Sequence, residues 1–296
     1  VSIQFFVDST CDLEHANPIF KNVEILSIPI NIGDKTYYDR IDISQEMILQ
    51  HVAENPKQFP KTSQIAPAVV MKAMTPYLEQ GHDIIYLTLS SKFSSCYESG
   101  VMAAEELKGR YPQRNIAVVD SLSCSTGMAM ILHQGLKHNQ LTTPFDIIVD
   151  TMRQLADHLR VYFVVGDIKW LGAGGRISKS VAAIGSMLKI VPVLCIDNGA
   201  IVLFDKVRGQ KKALKRIYET TALEIGDNTQ QIVGMIQISN QEEQEKMCQK
   251  IKKDLGITKL IIPEEGAGSA LTTHIGPQSL GICFFDNLPD NYIPVL

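Results

Sequence analysis

Short apolar runs alternate with polar turns and segments of helical period through the first half of the chain. Ile3–Val7, Ile84–Leu89 and Ile116–Val119 read as strands, and each is followed by a hydroxyl-rich turn and then a helical repeat. The turns are Asp8-Ser9-Thr10, Ser90-Ser91 and Asp120-Ser121-Leu122-Ser123. This alternation predicts a parallel sheet covered by helices on both faces. Ligands of such sheets sit beyond the carboxyl ends of the strands, so the three turns are expected on one rim. Lys61-Thr62-Ser63-Gln64 is expected at the same rim, ahead of a helix opened by Ala66-Pro67.

The pattern changes near Asp150. Strands are expected at Val161–Val165, Val191–Ile196, Ile201–Phe204, Ile232–Ile238 and Leu260–Ile262, with helices at about Gly209–Glu224 and Gln241–Leu255. Asn198-Gly199 between two strands is a two-residue hairpin turn, which introduces an antiparallel component. The expected fold class is α/β in two lobes, with a ligand between them. Residues 1–150 form an N-terminal parallel-sheet α/β domain and residues 151–296 a C-terminal α+β domain, whose last residues can return to the first. The join around Thr142-Thr143-Pro144 is not glycine-rich, so the lobes should touch closely. There are no internal repeats or low-complexity segments.

Composition narrows the function. With 296 residues, 45% hydrophobic and 20% charged, the chain can build a core without disulfide or metal staples. A net charge of -4 gives no footing for a nucleic acid. The six cysteines are scattered without a C-x-x-C pair, which reads as reduced thiols in a cytoplasmic protein and not as zinc ligands. Val1–Asp8 lacks the basic flank and cleavage site of a signal peptide and reads as a strand. The longest apolar run, Val181–Ile196, is interrupted by Lys189 and Pro192, so no stable membrane insertion is expected. Neither G-x-x-x-x-G-K-[ST] nor a strand-borne G-x-G-x-x-G occurs in the first half, and no cofactor is expected.

Leu89–Ser99 carries the densest chemistry. It crowds hydroxyls between a buried strand and a helix with Tyr97, Val101, Ala104 and Leu107 on one face. Free backbone N–H groups, the positive end of the helix dipole and serine donors together make an anion site. No acid, base or metal ligand accompanies the serines, so binding is favoured over catalysis. Ser95 and Glu98 have capping-box spacing, which assigns Ser95 to the helix end and leaves Ser94 for a ligand. Asp8 and Asp120 are expected to hold their loops by accepting backbone N–H bonds.

Leu171–Ser178 is glycine-dense, and its Arg176 either pairs with a carboxylate or phosphate or closes a structural salt bridge. His274, in His274-Ile275-Gly276-Pro277, is the only histidine embedded in a glycine-proline turn and can donate to an anion. Ser186-Met187-Leu188-Lys189 fits S-x-x-K but lacks the companion S-D-N and K-T-G patterns, and reads as an apolar helix. Lys206, Arg208, Lys211, Lys212, Lys215 and Arg216 cluster after a strand and along one helix, either as a solvated face or as a dock for an acidic partner.

Taken in order, these segments resemble the DegV family of bacterial fatty-acid-binding proteins. Val7–Leu13 is similar to the family's V-D-S-T-x-D-L, Thr62–Pro67 to T-S-Q-P-S-P, and Leu89–Ser99 to L-S-S-x-L-S-G-T-Y-x-S. Val119-Asp120-Ser121, Gly174-Gly175-Arg176-Ile177 and His274-Ile275-Gly276-Pro277 match three further blocks, so the likeness runs nearly the whole chain. The resemblance implies a long-chain fatty acid between the lobes, its carboxylate held by Thr62 and Ser94 with His274 nearby; Ser95 and Arg176 complete the candidate set. It also implies presentation of the carboxyl group to a separate ATP-dependent fatty acid kinase subunit, which makes an acyl phosphate for phospholipid synthesis. Arg208, with Lys206, Lys211 and Lys212, would dock that kinase.

The chain departs from the family pattern at Ser95 (for glycine), Cys96 (for threonine), Ala173 (for a basic residue) and Gln278 (for glycine). An apolar tunnel for the tail is expected from Ile28, Ile30, Ile184, Met187, Leu188 and Ile190, chosen by apolarity alone. Two other functions fit less of the sequence: a serine acyl hydrolase using Ser94 or Ser186, and a binder of a smaller carboxylate metabolite.

Overall fold

The computed structural model describes residues 2–13, 18–183 and 189–294 of the chain. The expected tunnel residues Ile184, Met187 and Leu188, and Ser186 of the S-x-x-K pattern, lie outside them.

The first half runs β1 (Ile3–Asp8), β2 (Val23–Leu26), β3 (Pro29–Ile32), β4 (Lys35–Tyr38), α1 (Gln45–Glu54), β5 (Lys61–Thr62), α2 (Pro67–Glu79), β6 (Asp83–Thr88), α3 (Cys96–Arg110), β7 (Ile116–Asp120) and α4 (Thr126–Gln140). The second continues with α5 (Phe145–His158), β8 (Leu159–Val164), α6 (Lys169–Gly174), α7 (Lys179–Ala182), β9 (Ile190–Asp197), β10 (Ala200–Arg208), α8 (Gln210–Ile225), β11 (Val233–Ile238), α9 (Gln241–Leu255), β12 (Leu260–Ile261), α10 (Ser269–Ile275) and β13 (Ser279–Phe285).

Strands β2-β1-β6-β7 form a parallel sheet, with Phe5 opposite Ile85 and Ile85 opposite Ala117. Every residue of β6 is buried, as parallel strands covered on both faces require. The second sheet, β10-β9-β8-β13-β11-β12, is antiparallel except where β11 meets β12. The architecture is therefore α/β, with a parallel N-terminal sheet and a mixed C-terminal one.

Helix α4 lies between the two sheets and is buried on nearly every side, from Thr126 through Gly135 to His138. A helix without a polar face must be enclosed, and here the two sheets enclose it. One continuous core accordingly runs from Phe5 and Tyr86 of the first sheet to Leu194, Cys283 and Phe285 of the second. The chain beyond β13 returns to α4: the Gln134 side-chain amide donates to the Ile293 carbonyl and accepts from the Ile293 N–H, and His138 Nε2 meets the Asn291 carbonyl at 2.9 Å.

Two expectations need correction. The buried face of α3 is Cys96, Gly100, Ala103, Ala104 and Leu107, whereas Tyr97 and Val101 are only half-buried. Gly100 turns that face inward, because a Cβ there would meet the Tyr86 ring at 3.0 Å. The strand expected at Ile201–Phe204 extends to Arg208, so Lys206 and Arg208 lie on it and not after it. Pairing of β10 with β9 carries it that far, across an irregularity between Leu203 and Asp205. The hairpin joining them turns at Asn198 (φ 46°) and Gly199 (φ 81°), the backbone form that this dipeptide favours.

Candidate functional site

The carboxyl ends of β1, β6 and β7 bring the hydroxyl-rich turns together. Asp8 accepts from Thr10 N–H at 3.1 Å and Leu89 N–H at 2.7 Å, and Asp120 accepts from Ser91 N–H at 3.2 Å. Ser90 N–H donates to the Ser123 carbonyl at 2.8 Å. Both aspartates thus hold loops, as their positions after strands suggested. Burial pushes the Asp8 carboxyl up to about 6, against the hydrogen bonds from Thr10 and Leu89 that favour its charged form.

A second cluster brings the late helix α10 onto this rim. Asp12 accepts from Gly268 N–H at 2.8 Å, Arg40 Nη2 at 3.0 Å and Ser125 Oγ at 2.6 Å. Asp39 accepts from Ser9 Oγ at 2.7 Å and Ser269 N–H at 3.0 Å. The first turn of α10 is therefore pinned by buried carboxylates of the first lobe. Its last turn carries His274, whose Nε2 lies 2.8 Å from Thr62 Oγ1. Thr62 is placed by the short strand β5, which pairs with β3 opposite Ile30.

His274 Nδ1 is shut off from solvent and has no hydrogen-bond partner among the described residues. It packs against Gly174, where a Cβ would come within 2.3 Å of it. Burial, reinforced by the nearby Arg176 charge, holds the imidazole down at about 3, so it is neutral at physiological pH. An orphaned N–H would cost more than an orphaned lone pair here, so Nδ1 is assigned as the unprotonated nitrogen. Nε2–H then donates to Thr62 Oγ1 and leaves the threonine O–H free to donate onward.

Arg176 donates Nε–H to the Phe93 carbonyl at 3.1 Å and Nη1–H to the Gly174 carbonyl. No ion pair to it is found among the described residues. Burial lowers its pKa, a mark of a cation poorly compensated where it stands. Ser94 sits at the start of α3 and links two segments through Cys96. Its hydroxyl lies 3.2 Å from Cys96 Sγ, and the same sulfur accepts from Ile65 N–H at 3.5 Å.

The expected cap by Ser95 does not form. Ser94 Oγ accepts from Cys96 N–H at 3.3 Å instead, and Ser95 is left exposed. Gln278, where the family has glycine, keeps the left-handed backbone (φ 58°) and ties its side chain to the Ser239 carbonyl at 2.7 Å.

Three neighbouring spaces with shared walls surround these residues. A head chamber of about 70 Å³ is lined by Thr10, Ile28, Thr62, Ser94, Arg176 and His274 among others. A tail chamber of about 50 Å³ lies on the inner face of the second sheet, against Phe163, Ile196, Ile236, Leu280 and Cys283. The two share Phe93, Cys124, Ile201, Leu271 and Ile275. Outside them, a vestibule of about 380 Å³ is lined by Ser63, Gln64, Ser91, Lys92 and Ser95 together with Thr62, Phe93, Ser94 and Arg176.

Of the tunnel residues expected from apolarity, Ile28 lines the head chamber. Ile30 and Ile190 line neither chamber: Ile30 is fully buried in β3 opposite Thr62 of β5, and Ile190 opens β9 opposite Arg208. A larger cleft of about 570 Å³ runs along Asp39–Gln45 and Pro263–Ser269. Its lining includes Asp42, Glu264 and Glu265 and none of the candidate head-group residues, so it does not suit a carboxylate.

The basic run divides in two. Lys215 pairs with Glu219 at 3.4 Å, and Arg216 with Asp205 at 2.8 Å. Lys206, Arg208, Lys211 and Lys212 are exposed. Among the described residues no group of three or more His, Cys, Asp or Glu side chains is placed to hold a metal ion, and no helix is long and apolar enough to cross a membrane.

Solved structures share this whole architecture. A DegV family protein of Thermus thermophilus, described for its fatty acid binding, superposes with a TM-score of 0.85 at 24% identity, over 96% of this chain and 99% of its own. A stearic acid-binding protein of Eubacterium ventriosum gives 0.85 at 25% identity, over 95% and 97%. A fatty acid binding DegV family protein of Streptococcus agalactiae gives 0.82 at 26% identity, over 96% and 98%. In sequence, a DegV domain-containing protein of Clostridium perfringens is 28% identical over 94% of this chain and 96% of its own length. The family model described as "Uncharacterised protein, DegV family" matches residues 2–287. By that match, and by the fold it shares with these structures, the chain belongs to the DegV family.

Proposed function

We propose that this protein binds a long-chain fatty acid, holds its carboxylate at Thr62, Ser94 and Arg176, and presents that head group to a separate ATP-dependent kinase subunit. The observation that carries this reading is the adjacency of the two chambers: a head chamber lined by hydroxyls and a guanidinium shares Phe93, Cys124, Ile201, Leu271 and Ile275 with an apolar one. The stearic acid-binding relative of Eubacterium ventriosum and the fatty acid binding relative of Streptococcus agalactiae, which share the fold end to end, support it.

The energetics agree. Each methylene taken out of water contributes roughly 0.8 kcal/mol, so a dozen of them give on the order of 10 kcal/mol before ordering costs. A carboxylate buried without partners would cancel much of that gain. Arg176 supplies the opposite charge, Ser94 a hydroxyl, and neutral His274 orients the Thr62 O–H toward the head group. Both chambers are narrow, so the walls they share must part to admit an acyl chain.

A serine hydrolase finds less support. Ser94 faces a thiol, and His274 is engaged with Thr62, so no base contacts the hydroxyl. Presentation to a kinase rests on the vestibule, which meets the head chamber at Thr62, Ser94 and Arg176, and on the four exposed cations of β10 and α8. The acyl phosphate formed would pass to phospholipid synthesis.

Titration of oleate into Ser94→Ala tests the site. A hydrogen bond to a charged group is worth about 1.5–3 kcal/mol, so the affinity should fall at least ~10-fold while the variant stays folded, with only the small loss of stability that the missing bond to Cys96 N–H brings. Unaltered affinity would remove Ser94 from the site. The docking surface is tested by reversing charge at Arg208 and Lys212 together. Kinase-dependent acyl phosphate formation should slow, and its rate should lose salt sensitivity, while oleate still binds. An unchanged rate places the partner elsewhere.

A further inference from the structure

Phe93 alone among the described residues lines all three spaces: vestibule, head chamber and tail chamber. Its backbone is fixed from both sides. Phe93 N–H donates to the Ser90 carbonyl at 2.9 Å, and the Phe93 carbonyl accepts from Arg176 Nε at 3.1 Å. Phe93 therefore stands on a braced loop in the wall that the head and tail chambers share. The rest of that wall is Cys124, Ile201, Leu271 and Ile275.

Resting on the fatty acid reading above, we infer that Phe93 is a specificity-determining residue: its ring sets the width of the neck that the first carbons beside the carboxylate must pass. The carboxylate is anchored on one side of the ring and the tail lies on the other. An unbranched methylene chain is the narrowest group that can join them. A branch next to the carboxyl carbon would have to occupy the space that the ring fills. Chain length and distal unsaturation are read farther along, against the second sheet, and do not involve Phe93. Interior side chains resist displacement, and a mismatch of one or a few methylenes in an apolar pocket discriminates by about 10- to 200-fold.

The test compares palmitic acid with 2-hexyldecanoic acid, an isomer of the same formula branched at the carbon beside the carboxyl group. Both are measured by displacement of a fluorescent fatty acid from the unaltered protein, Phe93→Leu and Phe93→Ala. The unaltered protein should prefer the straight acid by about 100-fold. Phe93→Ala should cut that preference about 10-fold, mainly by tighter binding of the branched acid, with Phe93→Leu between. The backbone braces at Ser90 and Arg176 survive both substitutions, and Phe93→Leu serves if the alanine variant fails to fold. A preference that Phe93→Ala and Phe93→Leu leave unchanged overturns the inference, as does equal binding of the two acids by the unaltered protein. If the unaltered protein takes up neither acid, the fatty acid reading itself fails.

Discussion

Arg176→Gln is expected to weaken oleate binding by about 30-fold, or ~2 kcal/mol. The guanidinium is half-buried, donates only to the Phe93 and Gly174 carbonyls among its hydrogen bonds, and has no carboxylate beside it among the described residues. A cation kept partly out of water without a counter-charge is unfavourable, and a ligand carboxylate relieves that cost when it arrives. Removing one member of a buried charge pair costs about 2–5 kcal/mol, and the partial exposure of Arg176 places it at the lower end. Arg176→Lys should recover little, because an ammonium cannot span two carbonyls in the planar fork that a guanidinium offers. Calorimetry at low and moderate salt checks this: the unaltered protein should lose affinity with salt more steeply than the glutamine variant. Equal affinities would mean that the head group is held by hydroxyls alone.

Asp12→Ala should have the largest effect on stability, a loss of about 3–5 kcal/mol. Its carboxylate is fully buried and receives Arg40, the Ser125 hydroxyl and the Gly268 N–H. Burial raises the Asp12 pKa, while Arg40, Ser125 and Gly268 act against it and favour the charged form. Alanine leaves the three donors without this acceptor, with the Ser125 hydroxyl shut off from water, which is the expensive way to lose a hydrogen bond. Asp12→Asn should cost less, since an amide oxygen still accepts. Denaturant unfolding of both variants checks the order, and an alanine variant within 1 kcal/mol of the unaltered protein, as an order-of-magnitude threshold, would show that Arg40 and Gly268 find other partners.

The parallel sheet and its rim of turns were legible in the chain because strands buried on both faces are written as unbroken apolar runs. Ile84–Leu89 is such a run, and the turn after it can only lie at the carboxyl end. The head-group residues were legible unevenly. Ser94 stood out by crowding of hydroxyls, whereas Thr62 and His274 gained their pairing from the family resemblance. Their contact joins residues 212 positions apart, and no local pattern encodes it. The tail wall was opaque for a different reason. Phe163, Ile236 and Cys283 are apolar like their neighbours, and apolarity does not say which face of a sheet looks into a cavity. Ile28 was placed correctly and Ile30 was not: Ile28 precedes β3 and reaches the head chamber, whereas Ile30 stands within β3 opposite Thr62 and is fully buried in the core. Capping-box spacing at Ser95 misled because its backbone (φ -79°, ψ 20°) lacks the extended form from which a capping side chain reaches the first-turn N–H groups. The Lys215–Glu219 pair was open to reading from its spacing, since residues four apart on a helix face each other.

The Asp12–Gly268 bond joins residues 256 positions apart. During synthesis, the carboxylates that pin α10 emerge long before the backbone amides they are to receive. The rim they belong to must wait with buried-type acids facing water until nearly all of the chain has left the ribosome. Such distant closure slows folding, so an arrested nascent chain that stops short of residue 268 should be a far better substrate for chaperones and proteases than one extended past α10.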